Sequence, residues 1–319
     1  MGIYQQVNEH NQNLIMKKLY IIFVFLLSAS FMHAQQDPQY TQYMYNMNVV
    51  NPAYAGSFEG IAIGALYRSQ WVGLEGAPNT GTLSISAPVG KRVGLGLSFI
   101  NDEIGPVREN NAYADFSYTL PLGGEHKLAF GVKAGATFHK VGLTGLAVLD
   151  TGDPFLQENV DGVTPNIGAG LYLYKPDRYY VSVSMPNMLN SVHLDATNGV
   201  KVGSETQHLF AGAGYVFNLS DNFALKPHGM VKMAFDAPVS FDVNANLFMF
   251  NIMEIGAGYR LDDSFTGMIN FMISPNLRIG YAYDSVQSEL NYVTTSSHEI
   301  FINFDFSFTK KVSRSPRYF

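Results

Sequence analysis

From residue 59 onward the chain alternates apolar with polar or small residues and shows almost no 3.6-residue periodicity. The alternating segments run for about ten residues each, the pattern of a β-barrel that crosses a membrane. The last segment is the plainest. Ile300, Ile302, Phe304, Phe306 and Phe308 share one parity, and Glu299, Asn303, Asp305 and Ser307 share the other, with Phe301 alone breaking it. Successive side chains of a strand point to opposite faces, so one face of each segment suits lipid and the other a polar interior.

Residues 223–249 read as a hairpin. Phe223, Leu225, Val231, Met233 and Phe235 face one way, with Lys226, His228 and Lys232 opposite. Beyond a turn at Asp236-Ala237-Pro238, Val239, Phe241, Val243, Ala245, Leu247 and Met249 carry the apolar face on, and Ser240, Asp242, Asn244 and Asn246 the polar one. A three-residue turn places Lys232 opposite Asp242 and keeps both faces in register.

The same reading predicts fourteen strands, at 59–70, 80–89, 93–101, 111–121, 127–139, 165–174, 179–186, 205–217, 223–235, 239–249, 253–262, 264–274, 276–284 and 297–308. An even number closes an antiparallel barrel with both ends on one side. Connections after even-numbered strands are short, while the long ones, at 71–79, 102–110, 140–164, 187–204 and 285–296, all follow odd-numbered strands. Outer-membrane barrels have this asymmetry, with short turns in the periplasm and longer loops outside. The expected architecture is therefore an all-β transmembrane antiparallel barrel over 59–308. An upstream extension and signal peptide occupy 1–34, an N-terminal segment 35–58 and a basic tail 309–319.

Composition agrees. Only 14% of the 319 residues are charged although 47% are hydrophobic, and a soluble domain carries about 25% charged residues. Met16-Lys17-Lys18, the apolar run Leu19–Ser30 and Ala34 form a basic, apolar and small-residue succession, which predicts a Sec-type signal peptide. Removing it takes two of 20 basic and one of 26 acidic residues, leaving net −7, a charge that disfavours nucleic acid. No cysteine is present, so disulfides, thiolate metal sites and a lipid-anchored cysteine are excluded.

The polar parity collects Lys226, His228, Lys232, Asp242, Glu254, Arg260, Arg278, Asp284, Glu299 and Asp305 in the expected lumen. Both signs occur together, which predicts mutually paired charges packing the interior in preference to a solute pathway. Gly-Ala-Gly at 168–170, 212–214 and 256–258 lacks the third glycine of a dinucleotide fingerprint, and reads as relief for a flat-packed aromatic or a strand bend. His298-Glu299 opens like a zinc-protease helix, but Ile302 stands where the second histidine is required. Asp150, Asp153 and Asp161, with Gly152 and Gly162, supply oxygens of the kind calcium takes. Their spacing is not that of an EF-hand, and a solvated acidic loop is the expectation. No catalytic constellation, cofactor or metal is predicted.

Asp37–Gly56 is neither strand nor ordinary linker. Tyr40, Tyr43, Tyr45 and Tyr54 make it too aromatic for a disordered segment. Gln39–Met47 suits a short helix, and Asn51-Pro52 and Ala55-Gly56 read as turns. A chain entering the first strand from the periplasm either plugs the lumen with this segment or caps its periplasmic mouth. The candidate plug or partner-binding residues are Asp37, Pro38, Tyr40, Tyr43, Asn46, Asn51, Pro52, Tyr54 and Gly56, and Trp71 is the candidate binding residue of an outside loop.

The run Asp37-Pro-Gln-Tyr-Thr-Gln-Tyr-Met, continued by Asn51-Pro-Ala-Tyr-Ala-Gly56, resembles the opening of the PorP/SprF family of type IX secretion system membrane proteins. Tyr67-Arg-Ser-Gln-Trp-Val-Gly73, Asn101-Asp-Glu-Ile-Gly-Pro106, Pro165-Asn-Ile-Gly-Ala-Gly170 and His298-Glu299-Ile300 extend the resemblance over nearly the whole mature chain. It implies an outer-membrane barrel tied to export or surface attachment of cargo, often large adhesins with a C-terminal sorting domain. It also implies contact with other secretion and gliding components. Two functions stay in play: binding or anchoring exported cargo, and transport of a small hydrophobic solute past a plug.

Overall fold

The computed structural model describes residues 39–144, 159–189, 192–195, 201–204, 207–234 and 238–307. The wall is built from β1 (Gly60–Ser69), β2 (Asn79–Pro88), β3 (Val93–Ile104), β4 (Val107–Gly123), β5 (His126–Val141), β6 (Val160–Lys175) and β7 (Tyr179–Asn187). A small hairpin, β8 (Val192–Asp195) and β9 (Lys201–Ser204), sits in the next connection. The wall resumes with β10 (His208–Tyr215), β11 (Phe217–Ser220), β12 (Phe223–Ala234), β13 (Ser240–Met249), β14 (Met253–Arg260), β15 (Ser264–Ser274), β16 (Leu277–Val286) and β17 (Ser296–Ser307).

Each wall strand pairs antiparallel with its sequence neighbours, and β1 pairs with β17, which closes the cylinder. β10 and β11 meet β12 in one continuous register, Gly214 opposite His228 and Phe217 opposite Leu225, so they form one stave interrupted at Val216. Pro227, which has no N–H for the ladder, lies in β12 between those two pairings. Counted this way the barrel has fourteen staves. A closed ladder leaves no strand edge, the condition for placing backbone in hydrocarbon. Among the described residues no helix is long and apolar enough to cross a membrane. The outward parity instead exposes Leu83, Leu97, Phe99, Phe116, Val132, Val183, Val243, Ile269 and Ile302.

The asymmetry of the connections holds, with one exception. The expected loop at 102–110 is a continuation of β3 and β4, paired from Asn101–Asn110 to Ile104–Val107 around a two-residue turn at Gly105-Pro106. Its Asn, Asp and Glu residues conceal the strand because beyond the bilayer neither face has to be apolar. The 223–249 hairpin keeps its faces but not its exact partners: Met230, and not Lys232, stands opposite Asp242, and Lys232 pairs with Ser240. The pairing is shifted by two residues, which preserves parity. The Asp236-Ala237 part of that turn lies outside the described residues.

Candidate functional site

The lumen is filled by the chain's own N-terminal segment. Tyr43–Tyr45 form a 3-10 turn, Met47–Val50 a single helical turn and Pro52–Tyr54 a second 3-10 turn. The expected helix over Gln39–Met47 is thus two short turns, broken at Asn46. Tyr40, Tyr43, Met44, Met47, Val49, Val50, Ala53 and Tyr54 are buried and belong to the same hydrophobic core as Leu66, Tyr172, Tyr180 and Phe301 of the wall. Of the two placements the sequence left open, a plug or a periplasmic cap, these contacts match the plug.

Three kinds of wall residue make the seat. The first is carboxylate. Glu299 accepts from the backbone N–H groups of Thr41 (2.8 Å) and Gln42 (2.7 Å), while Asp284 accepts from the Thr41 hydroxyl (2.7 Å). Arg68 neutralises both acids, at 2.7 Å from Asp284 and 3.3 Å from Glu299, and also donates to Thr41 Oγ1 at 2.7 Å. Deeper in, Glu254 is the acceptor for Lys226 Nζ (2.9 Å), Asn246 Nδ2 (2.7 Å), Asn270 Nδ2 (3.2 Å) and the Tyr45 hydroxyl. Buried acids are tolerable here because every one meets donors.

The second kind is aromatic. Phe301, the one residue that broke the alternation of the last strand, points inward and stacks on Tyr45 with ring centroids 4.6 Å apart. The Arg278 guanidinium lies 4.9 Å from the centroid of the same Tyr45 ring. The Tyr43 hydroxyl shares a hydrogen bond with His228 Nδ1 at 3.0 Å, and Tyr54 meets Tyr172 edge-on at 5.4 Å.

The third kind is glycine. A Cβ on Gly131 would sit 2.1 Å from the Ala53 nitrogen, one on Gly94 2.1 Å from the Ala55 carbonyl oxygen, and one on Gly170 2.0 Å from Asn51 Oδ1. These glycines let the plug lie directly on wall backbone. Small polar groups complete the contact: Ser117 donates to Ala55 O (2.5 Å), Ser184 to Val50 O (2.8 Å) and Asn303 to Tyr45 O (3.1 Å). Asn51 caps Pro52–Tyr54 by accepting from Ala53 N at 2.9 Å, and its amide reaches Ser182 at 2.8 Å and Leu171 O at 2.9 Å.

Four glycines of the Gly-Ala-Gly runs stand against close neighbours. Gly170 makes room for the plug, Gly168 for the Pro186 backbone, and Gly256 and Gly258 for the side chains of Asn246 and Asn244. Gly280 and Gly135, outside the three runs, stand against rings, those of Phe301 and Tyr113.

Of the predicted lumenal residues, Lys226, His228, Lys232, Glu254, Arg260, Arg278, Asp284 and Glu299 are buried. Asp242 is paired with Arg260 at 2.7 Å, and Asp305 is half-buried two residues from the end of β17. Sequence reasoning overlooked Arg68, Asp102, Asp115, Lys133 and His139, all buried in the same interior. Lys133 pairs with Asp115 at 2.9 Å, and Thr80 donates to Asp102 at 2.5 Å. Their inward parity was available as a signal. Among the plug candidates, Asn46 accepts from Thr82 at 3.3 Å and Gly56 turns at φ +70° beside Gly94. Asp37 and Pro38 lie outside the described residues, as do Asp150, Gly152 and Asp153; Asp161 stands in β6 with an exposed side chain.

Trp71 opens the loop after β1 with φ +49°, a left-handed conformation uncommon for a bulky residue. Its N–H donates to Ser297 Oγ at 3.1 Å, and the next residue, Val72, donates to Ser296 O at 2.9 Å. Gly105 N to Gly76 O at 2.9 Å ties the far side of the loop to the β3–β4 turn.

Comparison with known proteins agrees with this architecture. The monoaromatic hydrocarbon channel CymD is similar in structure, with a TM-score of 0.52 at 14% identity over 83% of this chain and 93% of that one. The Ralstonia pickettii toluene transporter TbuX gives 0.49 at 13% identity, over 81% and 92% of the two chains. A Pseudomonas aeruginosa FadL homologue gives 0.47 at 12%, over 87% and 96%. At 14% identity the likeness to CymD is one of fold alone. None of the curated proteins matches in sequence. The model of the family described as type IX secretion system membrane protein PorP/SprF matches residues 32–304. With a lipid-facing closed barrel beneath a match of that extent, the chain belongs to the PorP/SprF family of type IX secretion system membrane proteins.

Proposed function

We propose that this outer-membrane component of the type IX secretion system binds or anchors exported cargo, adhesin-type proteins with a C-terminal sorting domain, at the cell surface. The observation that carries the reading is the occupied lumen. Between plug and wall, a cavity lined by Met44, Asn48, Ser84 and Asn303 holds about 20 Å³, room for one water. A barrel filled by its own chain offers partners its two ends and its lipid face, and the outer end carries the long loops. No nucleotide, metal or catalytic step is part of the proposal. Other secretion components and outer-membrane lipid are its expected further partners.

Deleting the gene and comparing secreted and surface proteins with uptake of toluene and fatty acids tests this. Loss of particular surface proteins with unchanged uptake supports it. Unchanged surface proteins with lost uptake would replace it with transport of a hydrophobic solute. Two variants refine the reading. Trp71→Gly removes the ring and relieves a left-handed backbone by about 1–2 kcal/mol. The barrel's heat-modifiable gel shift is therefore expected to hold while surface cargo falls; retained cargo would remove Trp71 from the binding surface. Tyr40→Ala with Tyr43→Ala should lower secretion while the barrel stays heat-resistant, and undiminished secretion would deny the plug a working role.

A further inference from the structure

We infer that the plug is threaded with its amino-terminal end toward the cell surface, so that Gln39 and Tyr40 belong to the outer mouth of the barrel. The inference goes beyond cargo binding and stands independently of it.

The polarity is read from the positions that each plug residue meets. The segment joins β1 at Gly60, on the side of the short turns, where β17 also ends. There Ala55 and Gly56 lie against Gly94, the second residue of β3 from that side. Traced backward from Ala55, the chain rises. Pro52 and Ala53 rest on Gly131, the sixth residue of β5. Thr41 and Gln42 then meet Arg68, Asp284 and Glu299. Arg68 is the last residue but one of β1, Asp284 the last but two of β16, and Glu299 the fourth of β17. All three are at the long-loop ends of their strands. The plug therefore runs the length of the lumen, entering from the outside and leaving toward the periplasm.

The outer end of the plug and the Trp71 loop share an anchor. Thr41 N–H donates to Glu299, and Trp71 N–H to Ser297, two residues earlier on the same face of β17. Those positions are about 7 Å apart along a strand. Plug end and Trp71 loop are thus held at neighbouring positions of one strand.

An epitope flanked by Gly-Ser, inserted between Pro38 and Gln39, tests the threading against the same epitope at Gly73, in the long loop, and at Gly124, in a short turn. Variants are first checked for the heat-modifiable gel shift. The expected result is antibody labelling of intact cells as strong as after permeabilisation, matching Gly73. Labelling only in the class of Gly124 overturns the inference. If the two references exchange behaviour, the barrel is inverted, and the threading is still judged by whether the tag beside Gln39 follows the Gly73 reference. Should the tag block folding, the absence of native cysteine allows Gln39→Cys with a membrane-impermeant maleimide. Labelling like Gly73→Cys supports the threading, and labelling like Gly124→Cys refutes it.

Discussion

Glu254→Ala is expected to be the most damaging single substitution in the barrel. Glu254 and Lys226 are both buried and sit 2.9 Å apart, and the same carboxylate serves Asn246, Asn270 and Tyr45. Removing it takes from a buried ammonium the carboxylate 2.9 Å away and from the Tyr45 hydroxyl a charged acceptor. Breaking one side of such a pair costs about 3–5 kcal/mol, whereas replacing both partners with neutral groups of similar size is much milder. The transition temperature of the heat-modifiable gel shift in detergent should therefore fall steeply in Glu254→Ala. It should recover substantially in Lys226→Met with Glu254→Gln. A single variant as stable as the parent would mean that the pair does not hold plug to wall.

Gly131→Val is expected to expel the plug's second 3-10 turn from its seat. The new Cβ would fall 2.1 Å from Ala53 N and 2.3 Å from the Pro52 carbonyl carbon, both main-chain atoms that no rotamer change can move. Overpacking typically costs about 1–3 kcal/mol, and backbone against backbone lies at the upper end. Protease sensitivity within residues 39–56 should rise while the barrel remains folded. Gly267→Val is the control, because nothing lies within 4 Å of a Cβ there. Equal protease resistance in both variants would contradict the close seating.

Parity was legible in the chain because lipid imposes it: every outward position between the interfaces must be apolar, so the strands from Gly60 to Ser307 announce themselves. The places where reading failed are those where that pressure is absent. Residues 102–110 continue two strands beyond the bilayer, and their polar sequence looks like a loop. Phe301 looked like an error in alternation because its partner, Tyr45, lies over 250 residues away in sequence. The exact pairing of Lys232 escaped because a shift of two residues changes no face. The glycine contacts were invisible for a different reason: a missing side chain carries no signal until the opposing backbone is known. Arg68 was readable by parity but not by partner, since closure of β1 on β17 decides which charges it meets.

That closure has a consequence for folding order. Thr41 is held by groups on the first stave and on the last two, across sequence separations of 243 and 258 residues. Its binding place does not exist until the final strand has been added and the ring is sealed. Lodging of the plug's leading end is thus a terminal event in maturation, and contacts this distant in sequence belong to slow assembly. A barrel stalled one strand short would lack both the Phe301 ring that stacks on Tyr45 and the Glu299 carboxylate that receives Thr41 and Gln42.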